Sequence, residues 1–253
     1  MTCREMDPLL TAGELTGEAR QHLAGCARCR ELSQLVSDAP AYAVDRAVLD
    51  RALGQIPGDL APVRPLPPPG AFASLFLSIA GAVAVGAAAI TGVHGLLSLS
   101  SSQAAAVFGL LLALLLGASF VVAQDMRPGA RTVRGMVLFL VAMGLIEVAF
   151  LALFHDYEAG RFLNSGWRCF RMGAACAAGT GAIAWLILRR GHVTAPVSTG
   201  ASVGALAGLA GLAALELHCP ILNVPHLAIW HAGVLAASVA VGALYGRSRR
   251  KQT

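Results

Sequence analysis

The feature that most narrows what this chain can fold into is a set of six apolar segments, at about 72–92, 104–123, 135–154, 170–188, 197–217 and 227–245. Each is close to the roughly 20 residues that an α-helix needs to cross the hydrocarbon of a bilayer. In that solvent every backbone N–H and C=O must find its partner inside the protein, which a helix achieves within one segment. The balance of the 253 residues agrees, with 56% hydrophobic and 13% charged, about half the charged share of an ordinary soluble domain. The expectation is an all-α chain whose residues 71–253 form a six-helix transmembrane bundle.

The net charge of +5 raises nucleic acid as a partner, but the positions of the charges argue against it. Loops 93–103 and 218–226 carry no Lys or Arg. Arg127, Arg131 and Arg134 lie in loop 124–134, Arg189 and Arg190 in loop 189–196, and Arg247, Arg249, Arg250 and Lys251 in the tail. Loop 155–169 has Arg161 and Arg168, offset by Asp156 and Glu158. Such alternation is an orientation signal and places both termini in the cytoplasm, consistent with an even number of spans. No basic stripe with interleaved aromatics calls for direct nucleic-acid binding. There is no phosphate loop, G-x-S-x-G elbow or H-E-x-x-H, so no enzyme is expected.

Residues 1–57 read as a small helical domain and 58–70 as a proline-rich, semi-rigid linker. Thr16 suits a helix N-cap with Glu18 in the first turn, and Gly25 a helix end. A helix over about 41–56 places Val44, Val48, Ala52 and Ile56 at four-residue spacing. That stripe either docks in the groove of a partner or packs on the preceding helices. Within the domain, His22, Cys26 and Cys29 read H-x3-C-x2-C, with Cys3 upstream. Four soft ligands at such spacings suit a closed tetrahedral zinc site. Cytosolic thiols stay reduced, which favours metal over disulfide. A bound structural zinc contributes on the order of 10 kcal/mol to a domain too small for a large core. A closed site of this kind is more often structural than a redox switch.

The remaining cysteines, Cys169, Cys176 and Cys219, fall on or near the outer side, with His94, His155, His218, His226 and His231. Glu216 lies beside His218 and Cys219, and Glu147 in the outer half of the third span. Ionisable groups at membrane depth are costly and mark function by default. In one reading Cys169 and Cys219, with Cys176, His218 or His231, form a soft-metal or redox site. In the other, cysteines pack among glycines and alanines and the histidines are interfacial. Gly200, Gly204 and Gly208, and likewise Gly173, Ala177 and Gly181, let helices approach closely, within the bundle or between copies.

Two resemblances follow from these residues. Cys3, Leu9-Leu10, Gly13-Glu14-Leu15 and His22-Leu23-Ala24-Gly25-Cys26-Ala27-Arg28-Cys29 resemble the zinc-binding anti-sigma domain, with a Cys3-to-His22 spacing somewhat shorter than usual. Leu60 to Pro69, Trp167-Arg168-Cys169, Arg189-Arg190-Gly191, the glycine-rich fifth span, His218-Cys219-Pro220 and Trp230-His231 resemble six-span membrane anti-sigma factors of the NrsF type. The second resemblance implies that Cys169 and Cys219 act as a pair, ahead of Cys176. Together they imply a multi-pass protein of the bacterial inner membrane that binds one zinc ion, sequesters an extracytoplasmic-function (ECF) sigma factor and, as part of a stress response, releases it on an outside signal. In that family the cytoplasmic region is usually short, whereas this chain adds a zinc-type domain. The alternative is a small metal or solute transporter with a cytoplasmic zinc-binding regulatory domain.

Overall fold

The chain divides into two units, Met1–Arg64 and Pro65–Thr253. The computed structural model describes residues 2–12, 15–38, 67–127, 135–158, 162–189, 193 and 195–250, with 47, 50, 51 and 54. Every regular element among them is a helix. Val44, Val48, Ala52 and Ile56 lie outside the described residues, as do most of the linker and Gly13 and Glu14.

In the first unit, α1 (Cys3–Ala12), α2 (Gly17–Gly25) and α3 (Ala27–Asp38) follow the local signals. Thr16 caps α2 by accepting from the N–H of Ala19 at 3.4 Å. The chain extends at Cys26 before α3 begins. Among the described residues the buried core is Met6, Leu10, Ala19 and Cys29, flanked by Leu9, Leu15 and Leu23.

In the second unit six helices are long and apolar enough to cross a membrane, which makes the chain a multi-pass membrane protein. These are α4 (Pro69–Thr91), α6 (Ser101–Gln124), α7 (Gly135–Leu153), α8 (Phe162–Leu188), α9 (Pro196–His218) and a composite last helix. The last one joins α10 (Val224–His226), a π-helical turn (Leu227–His231) and α11 (Ala232–Arg250). A short α5 (His94–Ser98), unforeseen from the sequence, follows a turn at Gly92, whose φ of +92° suits glycine alone. Ser100 and Gln103 close a capping box at the start of α6, and the Gln103 side chain donates to the Leu153 carbonyl at 2.9 Å. That bond ties the start of α6 to the end of α7.

The bundle is built around α9. Its apolar window is 94% buried, against 17–39% for the other five spans, and it touches α4, α6, α7, α8 and α11. Its mean hydropathy of 1.6 lies below the 2.6 of α6 and of α7 but above the 1.4 of α8. Its small residues serve close approach. The missing side chain of Gly200 makes room for the Gly242 carbonyl, and that of Gly204 for the Ser238 carbonyl. The glycine ladder thus packs within the chain. Leu206, Leu209 and Leu212 fill the core with Phe76, Leu111 and Ile146.

The largest departure from the sequence-based boundaries is at α8, which starts at Phe162 and not near 170. Arg168 and Arg171 are exposed, so their long side chains reach outward from an uninterrupted helix. Cys169, expected in a loop, therefore sits inside it.

Candidate metal centres

Three neighbouring helices build the first centre. Cys3 opens α1, His22 lies on α2, Cys26 in the extended link, and Cys29 in the first turn of α3. Cys3 Sγ is 3.7 Å from both His22 Nε2 and Cys26 Sγ, and Cys29 Sγ is 3.4 Å from His22 Nε2. All four donor atoms lie within 4.8 Å of one another. A tetrahedron with Zn–S near 2.3 Å and Zn–N near 2.0 Å has edges of roughly 3.5–3.8 Å, so the geometry and the donor set fit such an ion. The N–H of Cys29 points at Cys26 and holds its thiol below the ordinary range, helped by the thiols of Cys3 and Cys29. Burial first, and then the Cys3 and Cys26 thiols, push Cys29 up to about 12. A cation at the centre offsets that cost by binding the three sulfurs as thiolates.

The second centre lies at the end of the bundle where α9 stops. Cys219 caps α9, Cys169 comes from α8, and His226 and His231 stand at the two ends of the π-turn. Asn223 caps the last helix by accepting from the N–H of His226, and the N–H of Val224 donates to the Asp156 carbonyl at 2.7 Å. In a regular α-helix residues five apart are about 140° apart around the axis. The wider π-turn brings residue i+5 back over residue i. The His226 and His231 rings accordingly stand 5.0 Å apart.

Cys169 and Cys219 have their sulfurs 3.3 Å apart, and Cys219 Sγ is 3.4 Å from His226 Nε2. The donor atoms of Cys169, Cys219, His226 and His231 lie within 4.8 Å of one another, and all but Cys169 are buried. His231 donates from Nδ1 to Glu216 Oε1 at 2.7 Å, which leaves Nε2 of a fully buried ring without a hydrogen-bond partner. A carboxylate behind an imidazole is how proteins orient a metal-ligating histidine. Cys219 is raised above the ordinary thiol range, first by its hydrogen bond to Cys169 and then by burial. The bare α-carbon of Gly95 on α5 rests on the backbone of Glu216 and Cys219, so the α4–α6 connection covers this centre.

Of the residues expected here, Cys169, Cys219 and His231 come together. Cys176 lies two turns along α8 and packs against the core. His218 turns away, with Nδ1 3.4 Å from the Gly92 carbonyl and its ring edge on His94. His226 joins the cluster without having been singled out. Asn223 and Pro225, a cap followed by a first-turn proline, were the available signal for a helix start that carries it.

Two results are expected from this geometry. Glu216→Gln should weaken metal binding at this centre by about 10- to 100-fold, measured by titration of the detergent-purified protein; unchanged affinity would contradict the role given to Glu216. Deleting Ala228 should convert the π-turn to a regular turn and swing His231 away from Cys219. Binding at this centre is then lost while far-UV circular dichroism stays unchanged.

A family model described as NrsF, negative regulator of sigma F, matches residues 57–249, the whole helical bundle among them. The chain belongs to this family of negative regulators of a sigma factor, which is a family of regulators and not of enzymes. No curated protein and no solved structure matches the chain.

Proposed function

We propose that this chain is an anti-sigma factor of the bacterial inner membrane, with both termini in the cytoplasm. Its N-terminal unit holds an ECF sigma factor away from RNA polymerase. Zinc at Cys3, His22, Cys26 and Cys29 fixes the three helices of that unit, and the stripe Val44, Val48, Ala52 and Ile56 is the surface assigned to the sigma factor. A signal from outside acts at Cys169, Cys219, His226 and His231 and is passed along the bundle, releasing the sigma factor. The observation that carries this reading is the four-ligand cluster in a separate unit placed ahead of a bundle that matches negative regulators of sigma F.

The signal at the second centre is a thiophilic cation, because two sulfurs and two imidazoles suit soft ions. A second reading rests on the 3.3 Å separation of the two sulfurs. An oxidant that removes two electrons and two protons from Cys169 and Cys219 would join them as a disulfide. Co-purification of the full-length protein with each sigma factor of its host tests the main claim. One sigma factor should be retained, and retention of none by a zinc-loaded protein would overturn the proposal. Vesicles containing the protein are expected to accumulate no metal, whereas the transporter reading requires that they do.

A further inference from the structure

Away from both centres, the bundle carries an open groove of about 710 Å³ between α8, α9 and α11. Gly200 and Gly204 of α9 form its floor, with Ala178 and Ala182 of α8 and Val241 of α11 along its walls. It is a trough in a surface that faces hydrocarbon, where water does not go. Whatever fills it must therefore be apolar over most of its length.

One end of the trough differs chemically from the rest. Arg189 lines it there, beside Trp185 and Tyr245. The Trp185 ring stands edge-on to Tyr245 at 4.8 Å. On the Tyr245 side, Arg249 donates to its hydroxyl from Nη2 at 2.7 Å, and the guanidinium carbon lies 5.2 Å from the ring centroid. Tryptophan and tyrosine mark the depth of the headgroups. The far end, at Phe170 and Ala174, is apolar. The trough thus has a cationic, aromatic mouth and a long apolar body lined by glycine and alanine.

We propose that this groove binds one anionic phospholipid, its acyl chain along Gly200 and Gly204 and its phosphate at Arg189 and Arg249. Basic pockets between transmembrane helices take anionic headgroups in this manner. A second copy of the chain is the other candidate for a small-residue face in lipid. Charge argues against it. A twofold axis along the membrane normal would set the mouths of two grooves side by side and oppose Arg189 and Arg249 to their own copies.

The test is lipid retention by the full-length protein in detergent, read by native mass spectrometry, with phosphatidylglycerol and phosphatidylcholine as probes. The wild type should retain one phosphatidylglycerol at about tenfold lower concentration, or less, than phosphatidylcholine. Arg189→Gln with Arg249→Gln should remove that preference. Ala178→Phe with Ala182→Phe, both at exposed positions, should fill the groove and abolish retention of either lipid. Equal retention of the two lipids by the wild type, or one lipid still bound by the filled variant, would overturn the proposal. So would a dimer that dissociates only when the groove is filled.

Discussion

Removing the metal that Cys3, His22, Cys26 and Cys29 can hold is expected to unfold the N-terminal unit and leave the six-helix bundle intact. The reason is the imbalance between the two units. The bundle buries a continuous core around α9, whereas the described residues of the first unit bury Met6, Leu10, Ala19 and Cys29. A core of that size in α1–α3 offsets little of the cost of ordering three helices. A metal held by the four ligands would draw those helices together, which makes metal binding and folding of this unit one event. Cys26→Ser with Cys29→Ser, or chelation, should abolish amide protection across 3–38 in hydrogen exchange while protection in 101–124 and 196–218 persists. Acid should act in the same direction, because thiolates and imidazole release the metal as they take up protons; the unit is lost as pH falls and recovered as it rises. Protection of 3–38 without metal would show that the unit folds by burial alone. The same substitutions should abolish capture of the sigma factor.

The second large effect concerns the helix on which the bundle is assembled. Gly204→Ala would drive a methyl group onto the Ser238 carbonyl, and 2.7 Å from the Val239 α-carbon. Both obstacles are backbone, so α9 and α11 must separate. The cost belongs at the upper end of the roughly 1–3 kcal/mol typical of overpacking, or above it. Gly117→Ala is the control, since a methyl group there meets nothing within 4 Å. It should leave stability unchanged or improve it by up to about 1 kcal/mol through helix propensity. Denaturation of the two variants in mixed micelles measures the difference. Equal stability would mean that the close approach of α9 and α11 does not hold the bundle together. Separation at Gly204 should also disturb the second centre, because Cys219 and Glu216 stand at the far end of the same helix.

The parts of this structure that could be read from the chain are those with local causes. Apolar runs of about 20 residues announce transmembrane helices whatever surrounds them. H-x3-C-x2-C announces a ligand set because the spacing itself brings the three residues near one another. Thr16 and Gly25 announce helix ends for the same reason. The centrality of α9 was not announced. Hydropathy does not rank the spans by enclosure, since α9 at 1.6 lies above α8 at 1.4 although α9 is 94% buried and α8 28%. Its glycines hinted at close packing but not at which partner. The start of α8 was hidden by Arg168 and Arg171, which look like a loop until their side chains are seen to reach outward. His226 was hidden by the π-turn, because helical periodicity puts residues 226 and 231 on different faces. The pair Cys169 and Cys219 drew notice through its resemblance to a family. The two histidines and the carboxylate behind them needed the fold.

The central claim is that an event at Cys169, Cys219, His226 and His231 frees a sigma factor held at the other unit. It is tested most directly by reconstituting the full-length protein in nanodiscs with its sigma factor bound. The bound fraction is then measured before and after adding Zn²⁺ or Cd²⁺ in amounts that leave the N-terminal zinc in place. The account predicts that the sigma factor dissociates from the wild type and stays bound to a protein carrying Cys169→Ser, Cys219→Ser and His231→Ala. An unchanged bound fraction in the wild type, under metal and under a thiol oxidant alike, would contradict it, as would equal release from the variant.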